Sequence, residues 1–159
     1  MANLKSVQAT NASFVPTGNA GGATDTIALF GDYVTLAGLA NGDIIEMCPL
    51  PAGYVVDDVI VDVEQIDSNG VPTITHDVGI MSGAWGDSGA RTCGAEFVSA
   101  ATTARTGGIG RMTVVNGSKV APSTTTRSIG LKVSAAIATL VVGAKIRLTA
   151  LLRPQVEGV

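Results

Sequence analysis

The sequence predicts an all-β protein, an antiparallel sandwich of two sheets in which a jelly roll is the favoured arrangement. From Ile27 onward, short apolar stretches alternate with strong turn signals. Asn-Gly dipeptides, which suit tight turns between strands, occur at 41–42, 69–70 and 116–117. No stretch has convincing helical periodicity, because even the best candidate, residues 96–105, is interrupted by Thr and Ser.

About eight strands are predicted from these apolar stretches. They comprise residues 28–37, 43–50, 54–66, 73–80, 95–99, 110–115, 127–136 and 145–153. Three of them alternate clearly between apolar and polar residues. Their apolar faces consist of Val59, Val61 and Val63; of Ile129, Leu131, Val133 and Ala135; and of Ile146, Leu148, Ala150 and Leu152. Burial on one face only is typical of antiparallel sheets.

The first two strands are predicted to form a hairpin. Asn41-Gly42 lies between the apolar segments 28–39 and 43–50, and Asn-Gly fits the two positive-φ positions of a type I′ turn. Gly31 interrupts the first segment, and a glycine inside a strand is predicted to mark a bulge.

The chain divides into an N-terminal arm, residues 1–26, and a sandwich domain, residues 27–159. The arm is polar and ends in a flexible Gly-rich joint. One interpretation is a disordered tail. The other is an extended arm that becomes ordered against a neighbouring subunit. Its apolar residues would then be the contact residues, namely Leu4, Val7, Phe14 and Val15.

Composition points to a surface that is covered by partners. Charged residues make up 14% of the chain, against about 25% in a typical soluble domain, and 46% of the chain is apolar. A neutral surface of Thr, Ser and Ala is the simpler explanation. We favour the alternative that other proteins cover part of the surface.

The charge pattern argues against nucleic-acid and membrane partners. The net charge is −3 and no run of basic residues exists, so the positive field that nucleic-acid binding requires is missing. The most apolar region, residues 135–152, is interrupted by Lys145 and Arg147 and predicts two strands rather than a membrane span. The first residues have no apolar segment typical of a signal peptide, so we expect synthesis in a cytoplasm.

No residue is predicted to be catalytic. Gly86-Asp87-Ser88-Gly89 is similar to the sequence around the nucleophile of chymotrypsin-like proteases, but that chemistry needs a histidine held by a buried acid. His76 is the only histidine and lies close before Ser88 in the sequence, where a protease of that class does not place it. A turn is the favoured interpretation of this segment, and we expect His76 to be a hydrogen-bonded interior side chain.

No metal or other cofactor is predicted. His76 has no histidine partner for a zinc site. The acidic residues Asp57, Asp58, Asp62 and Glu64 are explained by a solvated face, although calcium binding is an alternative. Asp67 begins a segment like a calcium loop that lacks the later ligands.

Three other side chains left alternatives open. Cys48 and Cys93 are interpreted as buried, reduced thiols, with a disulfide as the alternative. Trp85, in a Gly-rich loop, fits either a contact residue in a binding interface or an anchor of its own loop.

Residues 33–80 resemble a family of tailed-bacteriophage virion proteins. The shared pattern is a strand followed by four matching segments, with an acidic turn before the last. In this chain they are Leu39-Ala40-Asn41-Gly42-Asp43-Ile44-Ile45-Glu46-Met47, Leu50-Pro51-Ala52-Gly53, Asp58-Val59 and Thr75-His76-Asp77-Val78-Gly79. The segment 145–152 also fits the closing strand of the family.

This resemblance implies a capsid decoration, or cement, protein with a jelly-roll-like fold. Such a protein binds the outside of the phage head, has the major capsid protein and copies of itself as partners, with a trimer favoured, and stabilises the capsid by bridging major capsid subunits. It is made in the host cytoplasm. The alternative is a receptor- or glycan-binding module of a phage tail or fibre. Only 4% of the residues are aromatic, which argues against sugar binding.

Overall fold

A computed structural model describes residues 3–5 and 26–155. Nine strands and two short 3₁₀ turns form in this part of the chain. The strands are β1 (Asn3–Lys5), β2 (Ile27–Val34), β3 (Ile44–Leu50), β4 (Tyr54–Val63), β5 (His76–Met81), β6 (Val98–Ala101), β7 (Gly108–Arg111), β8 (Arg127–Val133) and β9 (Lys145–Pro154). Among these residues no helix is long and apolar enough to cross a membrane.

The strands form the two-sheet sandwich that the sequence predicts. One sheet has the order β2-β9-β4-β7, and the other has the order β1-β3-β8-β5-β6. Leaving β1 aside, each sheet has four strands. Successive strands from β2 to β9 alternate between the sheets, much as in a jelly roll, except that β5 and β6 are neighbours in the same sheet. β1 adds to the edge of β3 as a parallel strand, whereas every other pairing is antiparallel.

The predicted hairpin between β2 and β3 is wrong. β2 pairs along its whole length with β9, and β3 pairs with β8 in the other sheet. The connection 35–43 therefore crosses between the sheets. Gly42 donates its N–H to the carbonyl of Val133, and Leu39 is buried in the main core, so tertiary contacts outweigh the local Asn-Gly turn preference.

Gly31 marks a close approach of two backbones. β2, which contains Gly31, pairs with β9 without the register shift that the predicted bulge would produce. A bulge is present instead in β3, between Glu46 and Cys48. A Cβ atom on Gly31 would lie 2.1 Å from the carbonyl oxygen of Met47. Only glycine lets β2 pass β3 at this corner of the sandwich.

The alternation of three strands gives the core, as predicted for all but one residue. The inward residues of β4, β8 and β9 are buried in one hydrophobic cluster between the sheets. Ala135, which was predicted to share the inward face of Ile129, lies beyond the end of β8 and is only partly buried. β3 differs, because all seven of its residues are buried. Its second face is covered by the connection between β5 and β6, as described below.

Candidate interaction surfaces

The connection between β5 and β6 folds back over the outer face of the five-stranded sheet. Hydrogen bonds from Ser82 N to Thr92 O (3.0 Å) and from Gly94 N to Ile80 O (3.1 Å) hold this segment as an irregular hairpin. Cys93 packs with Ile44 and Met81 in a small apolar cluster separate from the main core. The segment 82–94, called the covering loop below, thereby seals one face of the sandwich.

A buried ion pair fastens the covering loop to β3. The carboxylate of Glu46 accepts hydrogen bonds from the Arg91 guanidinium, from the Ser128 hydroxyl and from the N–H of Gly86 (3.0 Å). Arg91 also donates to the carbonyl of Ser82 (2.6 Å) and to the hydroxyl of Ser128 (2.8 Å). Both charged side chains are almost completely excluded from solvent. The position of the loop thus depends on a charge pair shielded from water.

Trp85 lies in the covering loop and is half-buried. Its backbone N–H donates to the carbonyl of Thr126. The next residue, Gly86, accepts a hydrogen bond from Nζ of Lys5 (2.9 Å), so β1 and the covering loop are neighbours. Leu4 in β1 is partly buried against the main core of its own chain. The predicted contact residues Val7, Phe14 and Val15 lie outside the described residues.

Gly86-Asp87-Ser88-Gly89 forms a turn in the covering loop. Asp87 donates its N–H to the carbonyl of Ala84 (3.2 Å), and its side chain accepts from the N–H of Gly89 (2.9 Å). Ser88 is exposed, whereas His76 is buried in β5. The interpretation of this segment as a turn is confirmed.

His76 is an interior side chain, as predicted, but the prediction that it is hydrogen-bonded is wrong. It is 2% exposed, and neither ring nitrogen has a hydrogen-bond partner within the described part of the chain. Burial lowers the pKa of His76 to about 4, with the neighbouring Asp77 carboxylate acting in the opposite direction. Asp77 itself pairs with Lys132 at 3.0 Å. The neutral imidazole is therefore the form that the fold accommodates.

Acidification between pH 6.5 and 4 is expected to destabilise the protein through His76. An unfolded histidine has a pKa of about 6.5, so below that pH the unfolded chain binds a proton that the folded chain resists. The free energy of unfolding should fall by up to about 1.4 kcal/mol per pH unit across this window. Urea unfolding at several pH values measures the slope.

His76→Leu provides the comparison for this prediction. The chain has one histidine, so the variant should lose most of the slope between pH 6.5 and 4. An equal slope in both proteins would contradict the assignment of the pH dependence to His76.

A second buried acid organises the loops at one end of the sandwich. Asp67 is fully buried, and its carboxylate accepts four backbone N–H groups. They come from Asn69 (3.2 Å), Thr73 (3.0 Å), Ala138 (3.0 Å) and Thr139 (2.9 Å). Burial acts to raise the pKa of Asp67, but these hydrogen bonds outweigh it and hold the pKa at about 2. The calcium-loop-like segment is thus a carboxylate cap on backbone N–H groups.

The outer face of the four-stranded sheet carries exposed ion pairs. Asp32 pairs with Arg147 (2.7 Å), Asp57 with Arg153 (2.8 Å), and Asp58 with Arg111. The guanidinium of Arg147 also lies 5.3 Å from the centre of the Phe30 ring. Pairs exposed in this way contribute little stability. Their charges make this face of the sheet hydrophilic.

The two cysteines are not bonded to each other. Cys48 is in the main core and Cys93 is in the small cluster under the covering loop. Burial raises the pKa of each thiol to about 12, so both remain protonated at neutral pH. The interpretation as buried, reduced thiols is confirmed.

Comparison with solved structures shows the same fold in phage capsids. A chain in the capsid of Ralstonia phage GP4 has 36% sequence identity and a TM-score of 0.90, covering 98% of this chain and 100% of that one. A chain in the capsid asymmetric unit of cyanophage Pam1 has 21% identity and a TM-score of 0.69, covering 92% of this chain and 96% of that one. No protein-family model and no curated protein matches the chain.

The end-to-end similarity defines the class of this protein, which is a structural protein of a bacteriophage virion. It belongs to the same family as the chain found in the Ralstonia phage GP4 capsid. The resemblance to phage virion proteins that residues 33–80 indicate is thereby confirmed at the level of the capsid.

Proposed function

We propose that this protein decorates the outside of a phage head and stabilises the capsid by bridging major capsid subunits, as a homo-oligomer in which a trimer is favoured. The observation that carries this proposal is the end-to-end similarity to a chain of a phage capsid. The resemblance of residues 33–80 to decoration proteins supports the finer role. Many copies, each with a modest interface, would strengthen a shell through multivalency.

The distribution of charge supports one orientation on the head. The ion pairs Asp32–Arg147 and Asp57–Arg153 are satisfied within the chain and exposed. Burying them against a partner would require removal of their hydration, which is costly. The outer face of the four-stranded sheet would therefore face solvent. The opposite side, with the covering loop, Trp85 and β1, would face the capsid.

Trp85 is the residue of the covering loop best suited to anchor such a contact. It is half-buried, so part of the residue is accessible while the loop around it is held by Arg91 and Glu46. Tryptophan on a rigid support loses little conformational entropy when it binds, and it is enriched among residues that dominate interface energies. Four apolar residues of the N-terminal arm remain proposed contacts with a neighbouring subunit, namely Leu4, Val7, Phe14 and Val15.

The test uses heads that lack this protein. Purified protein added to them should bind in a saturable manner, raise the temperature at which the heads release DNA, and appear by cryo-electron microscopy in many copies on the outer lattice. In complete virions, density for this protein confined to the tail would contradict the proposal and support the receptor-binding alternative.

The orientation has its own variant and control. Trp85→Ala should weaken binding to these heads at least tenfold, the effect expected for an interface anchor. Phe30→Ala removes a ring from the sheet proposed to face solvent and should leave binding unchanged. Equal binding by both variants, each with a cooperative unfolding transition, would contradict the placement of Trp85 at the capsid contact.

A further inference from the structure

Four loops meet at one end of the sandwich and form a continuous surface, here called the loop end. They are residues 35–43, 64–75, 102–107 and 134–144, which connect β2 to β3, β4 to β5, β6 to β7 and β8 to β9. Strand register brings them together, since Val34 pairs with Lys145, Val63 with Ile146 and His76 with Val133.

The loop end has little charge available to solvent. Its charged residues are Asp43, Glu64, Asp67 and Arg105. The carboxylates of Asp43 and Asp67 are buried. Glu64 is exposed, but it lies at the border with β4, where its carboxylate accepts the backbone N–H of Lys145 (2.8 Å). Arg105 is half-buried and donates to the carbonyls of Ile74 (2.9 Å) and Thr73 (3.4 Å) within the same surface. The sides of the molecule, by contrast, carry the exposed ion pairs described above.

Apolar side chains project from three of the four loops. Leu36 is 58% exposed, Val71 is 77% exposed and Val142 is 60% exposed. Exposed single hydrophobic residues are common on proteins, but apolar residues grouped on a surface with little charge are typical of an interface.

The loop end is also rigid. The Asp67 carboxylate ties the β4–β5 loop to the β8–β9 loop. Thr35 joins the β2–β3 loop to the β8–β9 loop, with its hydroxyl donating to Val141 O (2.6 Å) and its carbonyl accepting from Gly143 N (2.9 Å). A surface that is already ordered loses little entropy when it binds a partner.

The scarcity of exposed charge favours a second copy of this chain as the partner. Around a rotation axis each residue lies near the same residue of the next copy, so any charge close to the axis would meet a like charge. Contacts between different proteins commonly use complementary charges for specificity, and the loop end offers only Glu64, at its border with β4. We infer that copies of this protein associate through the loop end, around a rotation axis that passes close to Leu36, Val71 and Val142.

This inference rests on the proposed homo-oligomer and identifies its surface, but it does not depend on capsid binding. The test is the mass of the purified full chain in solution, measured by sedimentation equilibrium over a range of concentrations. The wild-type chain should be oligomeric. Leu36→Glu and Val142→Glu should each shift the population to monomer, because the axis would bring the new carboxylates together.

Val115→Glu is the matched control. Val115 is 83% exposed and lies in the β7–β8 connection, away from the loop end, so this variant should remain oligomeric. A wild-type chain that is monomeric at every concentration, or loop-end variants that remain oligomeric, would overturn the inference. Binding of the same samples to undecorated heads separates the two proposals. Oligomers that fail to bind would contradict only the decoration role.

Discussion

Replacement of Arg91 by methionine is expected to lower the free energy of unfolding by about 3–5 kcal/mol. The substitution leaves the Glu46 carboxylate buried beneath the covering loop without its counterion. Removing one partner of a buried pair costs much more than the pair contributes, because the remaining charge has lost its hydration. Urea unfolding at pH 7 measures the change.

Two further variants show whether this effect arises from the buried charge. Arg153→Met breaks the exposed pair with Asp57 and should cost less than about 1 kcal/mol. The double variant Glu46→Met, Arg91→Met removes both charges and should be more stable than Arg91→Met alone. If Arg91→Met and Arg153→Met lowered the free energy of unfolding equally, burial of the Arg91–Glu46 pair would not explain the effect of Arg91→Met.

Loss of the negative charge at Asp67 is expected to lower the free energy of unfolding by about as much as Arg91→Met does. In Asp67→Asn one carboxylate oxygen becomes an amide NH₂ group, which faces two backbone N–H donors instead of accepting from them. Each buried donor left without an acceptor costs about 1–3 kcal/mol, so we expect a total loss of about 3–5 kcal/mol. Urea unfolding of the variant at pH 7 measures it.

The pH dependence provides a second readout for Asp67. The pKa of this carboxyl is about 2 in the fold and about 3.9 in an unfolded chain. Its stabilising effect is therefore complete above about pH 4 and disappears as the pH falls to about 2. The difference in stability between the wild type and Asp67→Asn should narrow over that range.

Asp87→Asn is the control for this substitution. Asp87 makes the same kind of side-chain contact with a backbone N–H, but in an exposed turn where asparagine can replace it. The change should cost less than about 0.5 kcal/mol. If Asp67→Asn were equally mild, the four hydrogen bonds would not be what orders the loop end.

Most of the sandwich could be predicted from local patterns. The inward faces of β4, β8 and β9 follow from the alternation of apolar and polar residues, which depends only on the pleat of a single strand. The segments 95–99 and 110–115 were placed less well, since the strands are Val98–Ala101 and Gly108–Arg111. These strands are short and lie at sheet edges, where few contacts limit their ends.

The candidate surfaces were predicted only in part. The sequence analysis identified Trp85 as a candidate contact residue, but it did not identify the pair Glu46–Arg91. These two residues are 45 positions apart, and nothing in the sequence around either one indicates that it contacts the other. A clue was present in β3, where a glutamate interrupts an otherwise apolar strand. The loop end was missed because its exposed residues come from separate connections.

Composition and strand alternation alone specify an all-β sandwich with little surface charge, because burial of one face of a strand is a local property of the chain. Pairing of β2 with β9 rather than β3, closure of the covering loop over Glu46, and the assembly of four loops with little exposed charge at one end depend on contacts between distant segments. Such contacts become visible only when the chain is folded, since the free energy that selects them comes from packing and desolvation between residues far apart in the sequence.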